Sequence, residues 1–308
     1  MEHEISKPYL SVIICTYNRD KYIYNVLKSI AENTLATEKY EIVLVNNNST
    51  DSTETECNKF SKDYENVVFR YFVETNQGLS YARNRGIQEA KGEVVVYVDD
   101  DATINKEYLQ TYCDFFEKDN KAEAAGGPIL PIYEAVEPKW MSHYTRQLIT
   151  GKLYMGNTMK EFAKGTFPGG GNAAYRRSVF DKVGLFNVDL GRKGTSLIGA
   201  EEKDLFDKMT AQGIKFFYLP GAILYHIIPA SKLTKEHFHK LTYSIGKSER
   251  IRTLAISKKK YYSRLFSEAV KWGGSIILWI RFFFTLESSK GNKLIRFRYN
   301  VTKGLLGL

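Results

Sequence analysis

The sequence predicts an α/β fold with a mostly parallel sheet flanked by helices, and two observations predict it. Short apolar runs alternate with stretches of helical periodicity through residues 10–98. Each of these runs also stops at a polar cluster. Strands alternating with helices require crossover connections, which favour parallel pairing. The first run, residues 10–15, leads into Thr16-Tyr17-Asn18-Arg19, and Ile23, Val26, Leu27 and Ile30 then recur at helical spacing. The second, residues 41–45, breaks at Asn46-Asn47-Asn48-Ser49-Thr50-Asp51, a cluster rich in N-cap residues, before a helix to about Lys62.

A third strand is expected over residues 67–72. Leu79, Ala82, Arg83, Gly86, Ile87 and Ala90 then keep one helical face, and residues 94–98 run into Asp99-Asp100-Asp101. Residues 126–172 are irregular, with four prolines and a closing Pro168-Gly169-Gly170-Gly171-Asn172, as befits a substrate-covering stretch. A short helix over 176–183, a helix from about Gly199 to Gly213, and strands at 215–219 and 222–227 follow. No proline follows Pro229, and the rest reads as helical. These patterns divide the chain into an α/β domain, residues 1–231, and a basic, partly amphipathic helical region, residues 232–308.

Charge divides at the same place. The net charge is +9, yet from Lys232 onward seventeen Lys/Arg stand against four Asp/Glu, so the first 231 residues are net acidic. Segregated basic charge points to a polyanionic surface, nucleic acid or anionic lipid. Cys15, Cys57 and Cys113 are widely spaced and form no CxxC pair, which suggests neither a disulfide framework nor a zinc site. The start, MEHEISKPYL, carries acids where a signal peptide is positive and apolar. A cytoplasmic setting is the expectation.

Three adjacent carboxylates at a strand end repel one another unless a cation neutralises them. Oxygen ligands favour Mn²⁺ or Mg²⁺, ions that bridge carboxylates to substrate phosphates. On spacing alone, an acidic turn capping the next helix remains open. In open α/β sheets, however, ligands bind at the carboxyl ends of the strands. Thr16-Tyr17-Asn18, Asn46-Asn47-Asn48 and Asp99-Asp100-Asp101 all fall there, so one crevice gathers three polar clusters.

Taken in order, the motifs resemble the inverting family 2 glycosyltransferases of the GT-A fold over roughly residues 9–229. The resemblance rests on residues 11–18 (SVIICTYN), 45–51 (VNNNSTD), 76–84 (NQGLSYARN) with Gly86, the triple aspartate, Glu201-Glu202-Lys203-Asp204, and Tyr218-Leu219-Pro220 with His226. It implies hexosyl transfer from a nucleotide-sugar donor, UDP first, to a saccharide or lipid-linked acceptor. Asp99 and Asp101 would hold Mn²⁺ or Mg²⁺, with His226 as a further ligand and Asp100 near the ribose. Thr16, Tyr17, Asn18 and Asn47 would line the donor, Asn47 at the base and Arg83 at the diphosphate. Glu202 would be the catalytic base in a position usually held by Asp, with Glu201 as the alternative. Gly171, Asn172 and Glu201 would lie on the acceptor side. A sugar-phosphate nucleotidyltransferase would open on a glycine-rich basic loop, absent after the first strand. A non-catalytic relative would lack the acids kept here.

Residues 272–286 are the most apolar segment, too short for a spanning helix and interrupted by Arg281. Wound as a helix, Arg264, Glu268, Lys271, Ser275, Arg281 and Thr285 form a polar stripe opposite an aromatic and aliphatic face. That is the character of an in-plane helix on an anionic membrane; packing on the catalytic domain or in an oligomer interface is the alternative. Nucleic acid is not expected, since no recognition motif accompanies the charge. The implied setting is bacterial surface-polysaccharide assembly, peripheral at the inner face of the cell membrane.

Overall fold

The computed structural model describes residues 7–194 and 196–308. They form two compact units: the first takes in the described residues up to Pro131 with 152–186 and 205–227, the second 132–151, 187–204 and 228–308. The second unit resumes at Ile228. That unit also draws on two earlier segments, whose assignment depends on contacts remote in sequence.

In chain order the elements are β1 (Leu10–Thr16), α1 (Asp20–Ala31), β2 (Tyr40–Asn46), α2 (Thr53–Asp63), β3 (Phe69–Val73), α3 (Leu79–Glu89), β4 (Val94–Val98), β5 (Ala102–Ile104), α4 (Tyr108–Lys118), β6 (Ala124–Gly126), β7 (Ile129–Tyr133), α5 (His143–Thr150), β8 (Lys160–Glu161), β9 (Asn172–Arg176), α6 (Ser178–Val183), α7 (Glu201–Ala211), β10 (Phe216–Tyr218), β11 (Leu224–Ile228), α8 (Lys235–Ile256), α9 (Lys258–Phe284) and α10 (Ser288–Leu306). Their main sheet runs β3-β2-β1-β4-β9-β6-β10-β8. Pairings β1–β2, β1–β4, β2–β3 and β6–β10 are parallel, whereas β9 is antiparallel to both β4 and β6, and β8 to β10. The sheet is mostly parallel, as expected, with β9 and β8 running against the other six strands. Its inserted strand, Asn172–Arg176, carries no apolar run that marks it in the sequence.

Strands β1, β2 and β4 are covered on both faces, which is why their sequences are apolar without alternation. Val12, Ile14, Ile42 and Leu44 pack on one side with Ile23, Val26 and Leu27 of α1. On the other, Ile13, Val43, Val95 and Tyr97 meet Ala82 and Ile87 of α3. Gly86 lets α3 lie close on β1, since a Cβ there would sit 2.4 Å from Ile13 Cγ2. A three-stranded sheet, β5-β11-β7, sets Ala102 opposite His226.

In the second unit α8, α9 and α10 pack together, with Trp140, Ile228, Phe238, Leu294, Phe297 and Val301 in its core. Ionic side chains link the three helices. Glu249 of α8 bonds Arg252 at 3.0 Å and Arg264 of α9 at 3.1 Å, and Glu268 of α9 bonds Arg264 at 2.9 Å and Arg298 of α10 at 3.0 Å. Arg298 also donates to Ser275 Oγ at 3.1 Å. The polar stripe of α9 thus faces inward at Arg264, Glu268 and Ser275.

Burial alone would raise the Glu249 carboxyl, but the Arg252 hydrogen bond and the charges of Lys203, Arg252 and Arg264 hold it at about 2. A folded-state value below the ordinary one contributes stability above the ordinary carboxylate range, lost as pH falls toward 2. The contribution at neutral pH is about 3 kcal/mol. In denaturant unfolding, the stability gap between the natural chain and Glu249→Gln is expected to be widest near pH 7 and to close between pH 5 and 2. A gap constant with pH would contradict this.

Candidate active site

The register of the parallel strands brings three loops to one sheet edge. Thr16, the last residue of β1, pairs with Asn46, the last of β2, and Ile13 pairs with Tyr97 one residue before β4 ends. The loops after β1 and β2 are bound to each other. Asn18 Oδ1 accepts from the Thr50 backbone at 2.8 Å, its own N–H donates to Ser49 Oγ at 2.9 Å, and the Arg19 N–H donates to Thr53 Oγ1 at 3.0 Å. Asn18 and Asn48 adopt positive φ of 53° and 65°, a conformation Asn tolerates better than most residues.

Against this scaffold lies the aspartate turn between β4 and β5. Arg19 spans two of its carboxylates, Nε 3.3 Å from Asp100 Oδ1 and Nη2 3.7 Å from Asp101 Oδ2. The Tyr17 backbone reaches Asp100 Oδ2 at 3.4 Å. On the other side, His226 Nε2 stands 3.4 Å from Asp101 Oδ1, placed there by the β5–β11 pairing and by the Ile227 N–H donating to Asp101 O at 2.9 Å. Burial pushes the Asp100 carboxyl up to about 6, against the pull of Arg19 and with the push of Asp101 and Asp99. Such a cluster is short of positive charge.

Asp99 is placed by an absence. The Gly171 backbone passes so close that a Cβ there would lie 2.0 Å from Asp99 Oδ2. Arg83 is buried on α3, its guanidinium 5.8 Å from the Tyr97 ring and 5.2 Å from that of Phe186. Among the described residues no group of three or more His, Cys, Asp or Glu gathers at metal-binding distance. Asp101 with His226 is a partial donor set, oxygen and imidazole, which substrate oxygens would have to complete. Cys15 adds nothing to it, since burial pushes its thiol up to about 12.

The model for the family described as Glycosyl transferase family 2 matches residues 11–184, more than half of the chain. The chain belongs to glycosyl transferase family 2. It is 30% identical over 198 residues to the glucosyl-dolichyl phosphate glucuronosyltransferase of Haloferax volcanii, covering 63% of this chain and 60% of that one. With the poly(ribitol-phosphate) beta-glucosyltransferase of Bacillus spizizenii it shares 29% over 228 residues, 70% of this chain and 35% of the relative. It therefore spans 60% and 35% of the lengths of these two relatives. A mannosyltransferase from Pyrobaculum calidifontis, solved in complex with GDP-Man and Mn²⁺, superposes with a TM-score of 0.63 at 18% identity over 98% of this chain and 88% of that one. Staphylococcus aureus TarS 1-349 with UDP gives 0.54 at 18%, covering 97% and 92%. At such identities the likeness is one of fold, and it bears out the GT-A architecture.

Within this family 2 chain the side chains of Asn47 and Asn172 are held by internal hydrogen bonds. Asn47 accepts from the Gly78 N–H at 2.7 Å and donates to the carbonyls of Glu74 and Asn76 at 2.9 and 2.8 Å. Its amide organises the loop before α3. Asn172 is wholly buried: its Oδ1 accepts from Tyr108 and Tyr112 at 2.8 and 2.7 Å, and its Nδ2 donates to the carbonyls of Pro128 and Ala222 at 2.8 and 3.0 Å. Its side chain belongs to the core. Gly171 stands over Asp99.

Glu201 and Glu202 open α7, Glu201 buried and Glu202 half-buried. The residue before them, Ala200, holds a φ of 75°, which costs about 1–2 kcal/mol for a side chain with a Cβ. Two bonds to α8 fix this turn: Gly199 N–H to Ser248 Oγ at 2.9 Å, and Lys203 Nζ to Glu249 at 3.2 Å. Arg19, Ser248 and the pairing of Lys203 were missed in the sequence. Arg19 alone had a signal there, as a cation in a strand-end loop facing an acidic one.

Proposed function

We propose that this chain is an inverting, metal-dependent glycosyltransferase that moves a hexosyl group from a nucleoside-diphosphate sugar, UDP first, to a hydroxyl of a saccharide or lipid-linked acceptor. The observation that carries the reading is the aspartate turn at the sheet edge, with Arg19 across Asp100 and the buried Asp101 and His226 against Asp101. Carboxylates that draw a guanidinium between them fit a divalent cation. Asp101 and His226, with Asp99, would hold Mn²⁺ or Mg²⁺. Such an ion, when bound, stabilises negative charge developing on the departing diphosphate.

The chain's own groups supply the rest. Thr16, Tyr17 and Asn18 line the strand end where the nucleotide would lie, Asp100 would meet the ribose, and Arg83 would bring a fixed charge to the diphosphate. Glu202 would take the proton of the acceptor hydroxyl as it attacks the anomeric carbon from the side opposite the diphosphate, which inverts that centre. Strained turns gather at functional sites, and the backbone at Ala200 supports this role for α7's first turn. The neighbours solved with GDP-Man and with UDP support a nucleotide donor. The names of the two relatives, one acting on a dolichyl phosphate and one on a polyol phosphate polymer, support a lipid-linked or surface-polymer acceptor. A lipid-linked acceptor is met at a membrane, so the reading includes a peripheral position at its cytoplasmic face.

A thermal-shift panel of UDP-, GDP- and dTDP-sugars, with and without Mn²⁺, tests it. One nucleotide series is expected to raise the melting temperature, more strongly with Mn²⁺, since a ligand at a hundred times its Kd adds about 2.7 kcal/mol. No stabilisation by any of them would overturn the reading, and a product of retained anomeric configuration would overturn the inversion.

A further inference from the structure

Helix α9 is built inside out. Tyr262, Phe266, Val270, Ile277, Ile280 and Phe284, spaced to share one face over the whole helix, are all exposed. Opposite them, Glu268 and Ser275 are 3% and 5% exposed and are bonded to α10, while Arg264 bonds α8. A helix at a water interface does the reverse, turning its apolar stripe to the core and its charges outward. Contiguous apolar surface of this extent marks an interaction site. The ionic network makes the orientation costly to change, because turning α9 over would part Glu268 from Arg298 of α10 and Arg264 from Glu249 of α8.

Charge identifies what covers this face. Lys258, Lys259 and Lys260 are exposed at its amino end and Arg281 near its carboxyl end. The one carboxylate of α9, Glu268, is buried and paired, so the outward face presents cations and no carboxylate. A second copy would bring the same cations and no acid to meet them. A bilayer with anionic headgroups supplies both an apolar layer and negative charge. Among the described residues no helix is long and apolar enough to cross a membrane.

We propose that the outward face of α9 lies in the plane of an anionic membrane, its aromatic and aliphatic side chains in the acyl boundary and Lys258, Lys259, Lys260 and Arg281 among the headgroups. This rests on the peripheral setting proposed above and names the surface responsible for it.

The test is co-sedimentation of the full chain with phosphatidylcholine vesicles, with and without phosphatidylglycerol. Binding is expected only with the anionic lipid, weakening with salt. Phe266→Glu combined with Ile277→Glu should lower partitioning at least about a hundredfold. Neutralising all three lysines to Gln should lower it at least about tenfold and weaken the salt dependence. Both sets alter exposed positions, and an unchanged melting temperature checks folding. Absence of vesicle binding, or binding indifferent to the glutamates, would overturn the proposal. A dimer dissociated by the glutamates, in a chain that ignores vesicles, would assign the face to a second copy. Nucleotide-sugar stabilisation is measured separately, so the docking surface and the transfer reading fail independently.

Discussion

Gly171→Ala is expected to lose at least about a hundredfold in transfer, although it adds a single methyl group. The new Cβ would fall 2.0 Å from Asp99 Oδ2 and 2.1 Å from its Cγ, well inside contact distance. Either the carboxylate swings away or β9 separates from β4, where Ala173 and Asn172 pair with Tyr97 and Val98. Overpacking of this kind costs about 1–3 kcal/mol. A displacement of about 1 Å in a group that positions substrate costs about a hundredfold in rate. Steady-state kcat/KM and the melting temperature separate the two: a large kinetic loss with modest destabilisation is the expected pattern. Full activity in a folded Gly171→Ala would show that Asp99 takes no part in the site.

Glu202→Gln is expected to lower kcat by about a hundredfold to ten-thousandfold, the range for removal of a general base. The substitution keeps size and hydrogen-bonding capacity and removes only the capacity to take a proton. Donor affinity, measured by calorimetry, should remain nearly as in the natural chain. A loss of donor binding would move Glu202 into the donor site. Should Glu201→Gln show the kinetic loss and Glu202→Gln not, the base is Glu201, whose buried carboxylate opens the same helical turn.

The strands around the site were legible because burial on both faces leaves an unbroken apolar run, as in β1, β2 and β4. Strand β9 was not, because Asn172-Ala173-Ala174-Tyr175-Arg176 looks like loop until its neighbours are known. The contacts of the Asn pair were hidden for a similar reason. An amide at a strand end reads equally well as a ligand contact or as a loop anchor. What decides is whether backbone groups from residues 74–78, or 128 and 222, arrive to occupy it. For α9 the periodicity announced two faces and left open which one turns inward.

By itself, the sequence determined the alternation of elements, the polar clusters at strand ends, the acidic turn at Asp99-Asp100-Asp101 and the basic, aromatic character of the last helices. All of these are local, set by the backbone preferences and periodicity of neighbouring residues. Only the tertiary structure decided that Arg19 lies across two aspartates, that Gly171 leaves room for Asp99, and that Glu268 turns α9 inward to Arg298. Electrostatic and steric energies depend on distance through space, and residues 72, 81 or 30 positions apart acquire such a distance only when the chain has folded.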